Sequence, residues 1–175
     1  MNFSKRQKGV GMIEVLVALL ILSVAVLGFV GLQLRAAEAG REASNRILAM
    51  NVARDLAEKI RINSTQISTY TMQMGSEESQ KSSSTNCFDT YCTAAQKAAF
   101  DVNQSYLNAL ALGMSINMQT CPSGLNGKQC IYVAWGKTLP SNSATDADNL
   151  NSCTVSSDNG FTYRNNSTCT VMEVF

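Results

Sequence analysis

Glu14 is the first acidic residue of the chain, and the next charge after it is Arg35. Six cysteines lie well beyond it, at Cys87, Cys92, Cys121, Cys130, Cys153 and Cys169, and there is no histidine. These facts bound the chemistry. Without imidazole, His-dependent triads and His-ligated metal sites are excluded, and the abundant serines have no ordinary base. The other carboxylates fall on helical faces or in loops, where solvation accounts for them. No catalytic constellation and no cofactor site emerges, so the chain reads as a non-enzyme. The even number of cysteines, none in the apolar N-terminal run, reads as disulfides made in an oxidising compartment. A zinc site is the rival, but it lacks His and any C-x-x-C pair. Asp146, Asp148 and Asn149 imitate part of a calcium loop without its Gly or its closing Glu, and read as a solvated loop.

Glu14 takes its meaning from the element that holds it. Gly9 to Leu34 reads GVGMIEVLVALLILSVAVLGFVGLQL, and Val15 to Leu34 carries no charge over twenty residues. At ~1.5 Å per residue such a helix is about 30 Å long, the thickness of a bilayer core. Lys5, Arg6 and Lys8 stand on its N-terminal side, which predicts residues 1–8 in the cytoplasm and the rest across the membrane. A carboxylate at that edge is unfavourable unless it meets a cation or stays among the headgroups. Cleavage after Gly9 would turn Val10 into a new α-amine, close to Glu14 in sequence and able to pair with such a carboxylate. The competing reading is an ordinary secretory signal, with Ala36-Ala37 or Ala39-Gly40 imitating its cleavage site. The apolar run is too long for that, and a helical pattern continues straight through it.

Lys8-Gly9, then Val10-Gly11-Met12-Ile13-Glu14, then the apolar run resembles the class III leader of type IV prepilins. In that family a membrane peptidase cuts after the Gly and methylates the new N-terminal residue. The resemblance thus implies cleavage between Gly9 and Val10 and N-methylation of Val10. Glu14 becomes the carboxylate of an assembly charge pair. The string MIEVLVALLILSVAVLGFVGLQLRA is similar to the PilV branch of minor pilins. Two positions depart from the usual leader: Val10 stands where Phe is common, and Gly11 where Thr or Ser is.

The remaining chain is long enough for one modest domain with its own core. Three of the fourteen basic residues lie in the leader, leaving eleven against thirteen acidic ones, which gives no electrostatic case for nucleic-acid binding. No proline interrupts Met12 to Ile62, and Leu48, Ala49, Val52, Ala53, Leu56 and Ile60 share one face. Glu42–Arg46, Arg54–Glu58 and Asp55–Lys59 are spaced as ion pairs along it. Gly28 and Gly31 suit close packing with neighbouring helices. The resemblance adds local melting of that segment on entry into a filament.

Asn63 to Asn86 is polar, ends in GSEESQKSSSTN and reads as a mobile surface loop. Thr93 to Leu112 reads as a second helix, capped by Thr93, stopped at Gly113, and packed through Ala99, Phe100, Leu107 and Leu110. Tyr91, Phe100 and Tyr106 read as core or rim. MSINMQTC and CIYVAWGK read as a hairpin around Asn126-Gly127, with Ile131, Val133 and Trp135 on one face of a half-buried strand. TLPSNSATDADNLNS reads as a polar loop, and two late strands lie around Cys153–Ser156 and Cys169–Phe175. An antiparallel sheet of three or four strands follows. Sequential pairing is expected for the cysteines: Cys87–Cys92 across a turn, Cys121–Cys130 at the open end of the hairpin, and Cys153–Cys169 clamping the C-terminal region, as pilins commonly do. The sequons at Asn63, Asn103 and Asn166 read as coincidental in a chain whose leader resembles a bacterial prepilin's.

The fold class expected is therefore α+β and pilin-like. A long N-terminal helix, half membrane and half amphipathic, packs on a small antiparallel sheet with a second helix. Residues 1–9 form the leader, 10–34 the membrane and assembly half of the helix, and 35–175 the periplasmic domain. The resemblance implies a minor pilin, anchored in the inner membrane and then carried in the extracellular pilus near its tip, that helps prime assembly and supports twitching motility, adhesion or DNA uptake. Its implied partners are the prepilin peptidase, the inner-membrane assembly platform, other minor pilins and the major pilin. The alternatives are a minor pseudopilin of type II secretion, whose leaders carry a similar EVLVAL string, and a bitopic membrane protein with a ligand-binding periplasmic domain.

Overall fold

The computed structural model describes Gly9 and residues 11–83, 85–122, 127–145, 149–157 and 160–174. By its contacts the chain divides into two compact units, Met1–Ala43 and Ser44–Phe175. Helix α1 runs Met12–Ile62 and supplies the whole described helix of the first unit and the opening element of the second.

In the second unit α1 buries Ala49, Val52, Ala53, Leu56, Ala57 and Ile60. This is the stripe expected from the 3.6-residue period, with Leu48 at its partly buried margin. On its polar side Lys59 bonds Asp55 at 2.6 Å, as the spacing predicts, whereas Glu58 pairs with Arg61 at 3.1 Å and not with Arg54. A helix surface offers both i+3 and i+4 partners, and spacing alone does not choose between them.

The segment after α1 differs from the expected mobile loop. A 3-10 turn, Ser64–Gln66, leads into α2 (Ile67–Met74) and then α3 (Glu77–Lys81), whose N-cap Ser76 accepts from the Ser79 N–H. Tyr70, Met74 and Gln80 are buried. Helices this short are held by tertiary contact and not by propensity. The Tyr70 hydroxyl donates to Asp101 Oδ2 at 2.8 Å, and the Gln80 amide donates to the Met74 and Ile116 carbonyls at 2.9 and 3.0 Å. A few anchors in a low-complexity run are easily missed.

Helix α4 (Ala94–Ala111) begins at a full capping box between Thr93 and Gln96 and ends before Gly113, whose φ is +70°. Of its expected buried face, Phe100 is buried and Ala99 partly so, but the two leucines are not. Ala98, Val102, Ser105 and Ala109 turn inward with Phe100, Asp101 and Tyr106, while Leu107 and Leu110 are about half exposed. Small side chains let the helix approach strand β1 (Met114–Thr120) closely, and size alone pointed to the leucines.

Among the described residues six strands form two three-stranded sheets where one of three or four strands was expected. The first has the order β1-β2-β6, all antiparallel, with β2 at Gln129–Trp135 and β6 at Cys169–Val174. The second has the order β3-β4-β5, from Leu139–Ser143, Ser152–Ser157 and Gly160–Tyr163. Thus the supposed polar loop contains β3, which pairs parallel with β4, and β5 fills the stretch between the two late strands. The Asn142 side chain explains why so polar a strand holds, since it bonds both Thr154 and Ser156 across the pair. Gly127 has φ +66°, as a hairpin turn requires, while Asn126 lies outside the described residues.

Strand β2 is buried on both faces, not one. Ile131, Val133 and Trp135 join the main core with α1, α2, α4 and β1. Cys130, Tyr132 and Ala134 join a second cluster with Cys121, Cys153 and Cys169. The cysteines thus roof the second face with covalent links where a small chain has too few apolar side chains for two cores.

Candidate assembly site

The N-terminal motif is assembled from local sequence. The Glu14 and Val15 N–H groups donate to the Gly11 carbonyl at 3.0 and 3.4 Å, which closes the first turn of α1. Glu14 therefore sits in that first turn, where the positive end of the helix dipole favours a carboxylate. Gly9 is exposed, and Val10 lies outside the described residues. Every described residue from Gly9 to Arg41 is exposed, including Leu16, Leu20, Leu27 and Phe29 at 61–72 %. A Cβ placed on Gly28 or Gly31 would meet nothing within 4 Å. Among the described residues no packing demands either glycine. Among the described residues, α1 is the helix long and apolar enough to cross a membrane. Length and composition alone would also fit a signal sequence, so the motif has to decide.

The six cysteines are far from Glu14 in sequence and form three bonds in sequential order. Cys87–Cys92, Cys121–Cys130 and Cys153–Cys169 have Cα separations of 5.6, 5.1 and 5.8 Å, within the usual range. Cys121 and Cys130 close the β1–β2 hairpin, and Cys153–Cys169 ties the second sheet to the first through β4 and β6. Among the described residues no cluster of metal-ligating side chains occurs, and Asp146 and Asp148 lie outside them. The amides of two sequon residues are already engaged. Asn63 donates to the Ala94 carbonyl at 2.8 Å, and Asn103 to the Gln80 and Lys81 carbonyls at 3.0 Å each.

The prokaryotic N-terminal methylation motif matches residues 4–30, and the family described as type IV pilin Tt1218 matches residues 31–103. The chain is a type IV pilin. No curated protein and no solved structure matches it significantly. The two matches adjoin, and together they take in α1 to the first half of α4 but none of the described strands. Pilins are structural subunits of pili, and the methylation motif with its exposed apolar helix fits inner-membrane anchoring and incorporation into a pilus. In this pilin two surface features escaped the sequence reading. One is Tyr91, which is fully exposed on the Cys87–Cys92 loop and not core or rim. The other is a cleft of about 310 Å³ beside β1, whose walls come from α2, α3, α4, β1 and β3. The short C-x4-C spacing is a signal for the first. No local pattern signals the second, because five elements build it.

Proposed function

We propose that this pilin is a minor pilin of the PilV kind that primes pilus assembly and enters the filament near its tip. In this reading residues 1–9 are removed between Gly9 and Val10, and Val10 is methylated. Residues 10–34 anchor the subunit in the inner membrane, N-terminus in the cytoplasm, with residues 35–175 in the periplasm. The observation that carries it is Glu14, the lone charge of the exposed apolar segment 12–34 of α1, which overlaps a matched methylation motif. The apolar side chains stay out of water both in lipid and in a bundle of neighbouring helices, so extraction from the membrane need not hydrate them. Glu14 then neutralises the Val10 α-amine of an adjacent subunit. Leaving either charge alone in that bundle would cost about 3–5 kcal/mol.

Intact-mass measurement of native protein tests the processing. The mature chain should begin VGMIEVL and carry one extra methyl, and retention of residues 1–9 or a start near Glu38 rules the reading out. Glu14→Ala should leave cleavage intact and abolish incorporation or priming. Normal piliation and twitching in a strain carrying only that variant would remove the charge pair.

A further inference from the structure

We propose that the Cys87–Cys92 bond is a site of thiol–disulfide exchange, opened by a dithiol partner while the rest of the fold stays closed. The three disulfides stand in two kinds of surroundings. Cys121, Cys130, Cys153 and Cys169 are at most 5 % exposed and belong to the cluster that covers the second face of β2. Cys87 and Cys92 are partly exposed and belong to neither core cluster. A thiolate must reach a sulfur before it can exchange with it. It reaches the buried four only when that face of β2 is uncovered, but it meets the first pair at the surface of the folded chain.

The fold gives the attacking group room. A surface depression of about 370 Å³ has both cysteines in its wall, together with Asp89 and Lys97. Asp89 is bonded to the Asn86 amide and Lys97 to Asp101, so each charge already has a partner and neither dominates the approach. Helix α4 does not depend on the bond. The Thr93–Gln96 capping box holds its first turn, and the Asn63 amide ties the Ala94 carbonyl to the end of α1 at 2.8 Å. Opening therefore frees one surface loop and takes no residue from either core cluster.

The exchange balances as a two-electron transfer. One thiolate of the dithiol attacks Cys87 Sγ, the S–S bond breaks, and Cys92 Sγ leaves with the electron pair as a thiolate. Cys92 directly precedes the N-cap of α4, where the positive end of the helix dipole favours that charge. The second thiolate then attacks the dithiol's own sulfur in the mixed disulfide and expels Cys87. The dithiol ends as a disulfide, and Cys87 and Cys92 take up its two protons. The reverse steps close the loop again. Such a partner carries two neighbouring cysteines at an exposed site. This goes beyond the assembly role above, and Glu14 has no part in it.

The test treats the full-length chain, folded in detergent, with dithiothreitol. Timed samples are quenched with acid, free thiols are blocked with N-ethylmaleimide, and the peptides are mapped. Cys87 and Cys92 should be blocked about a hundredfold faster than the other four, because their exchange needs no large opening of the fold. Urea below the unfolding transition should speed the opening of the two buried bonds about tenfold and leave the Cys87–Cys92 rate unchanged, since urea acts in proportion to the surface an opening exposes. One common rate for all three bonds, earlier opening of a buried bond, no opening of Cys87–Cys92, or a Cys87–Cys92 rate that climbs with urea as steeply as the others would overturn the site. Reduced glutathione, a monothiol, should be trapped on Cys87 with Cys92 free, and capture mainly on Cys92 would overturn the order of attack.

Discussion

Helix α1 meets two environments. Between Val15 and Leu34 it is apolar on every side and wholly exposed; between Ala49 and Ile60 it is apolar on one stripe, and that stripe is buried. Leu22 is 59 % exposed and Leu56 not at all, on the same kind of backbone. The richer segment is the one the chain leaves uncovered. Burial inside this fold therefore follows the pattern of apolar residues and not their density. A stripe can be matched by one sheet face, but an all-round apolar surface can be covered only by lipid or by several neighbouring helices.

The sharpest way to break this comparison is to truncate one leucine in each segment. Leu56→Ala should destabilise the second unit by about 2–5 kcal/mol, because the buried site cannot collapse fully around the lost atoms. Leu22→Ala should shift the same unfolding transition by less than about 0.5 kcal/mol. Denaturant unfolding of the full chain in detergent reads both, and equal effects would mean that the two segments share one core.

A smaller difference is expected between two disulfides. Cys153→Ser with Cys169→Ser removes a link of sequence separation 16 between two fully or nearly buried sulfurs. Cys87→Ser with Cys92→Ser removes one of separation 5 in an exposed loop. Loop closure alone makes the first loss larger by roughly 1 kcal/mol, and the uncovered face of β2 adds to it. Thermal melting of the two double variants should rank them so. The reverse order would show that the second cluster does not depend on its covalent roof.

The smallest effect concerns Tyr70, which ties α2 to α4. Burial and the Asp101 carboxylate that it donates to push its phenol well above the ordinary value of 10.0. The folded chain therefore holds this proton more tightly than the unfolded one. Its contribution is complete below about pH 10 and is lost as pH climbs toward the folded value. Tyr70→Phe should cost about 1 kcal/mol at neutral pH, since Asp101 keeps Lys97 as its other partner. It should also flatten the fall in stability above pH 10. An unchanged alkaline slope would show that Tyr70 does not carry it.

Elements with a strong local signal could be read directly. Thr93 and Gln96 announce the start of α4, Gly113 its end, and the 3.6-residue stripe marks the buried side of α1. The sequential order of the cysteine bonds was also legible, because short spacings bracket a turn or a hairpin. Elements without such a signal were not. Tyr70, Met74 and Gln80 are isolated anchors in a polar run, and nothing nearby says they are buried. Strand β3, LPSNS, has neither alternation nor β-branched residues and exists because Asn142 and β4 hold it.

By itself the sequence determined the N-terminal region. Three basic residues, Gly9, Glu14 and twenty uncharged residues follow closely in one short stretch, so their chemistry needs no fold to bring it together. It also determined that the six cysteines belong to the second unit and that α1 offers that unit a stripe. Tertiary structure decided what non-local contact alone can decide. It chose the small face of α4 over its leucines, split the strands into two sheets, buried β2 on both sides and shaped the cleft beside β1. The physical reason is the same in each case. A side chain's burial depends on what lies opposite it, and in this pilin the opposite wall is supplied by residues tens of positions away.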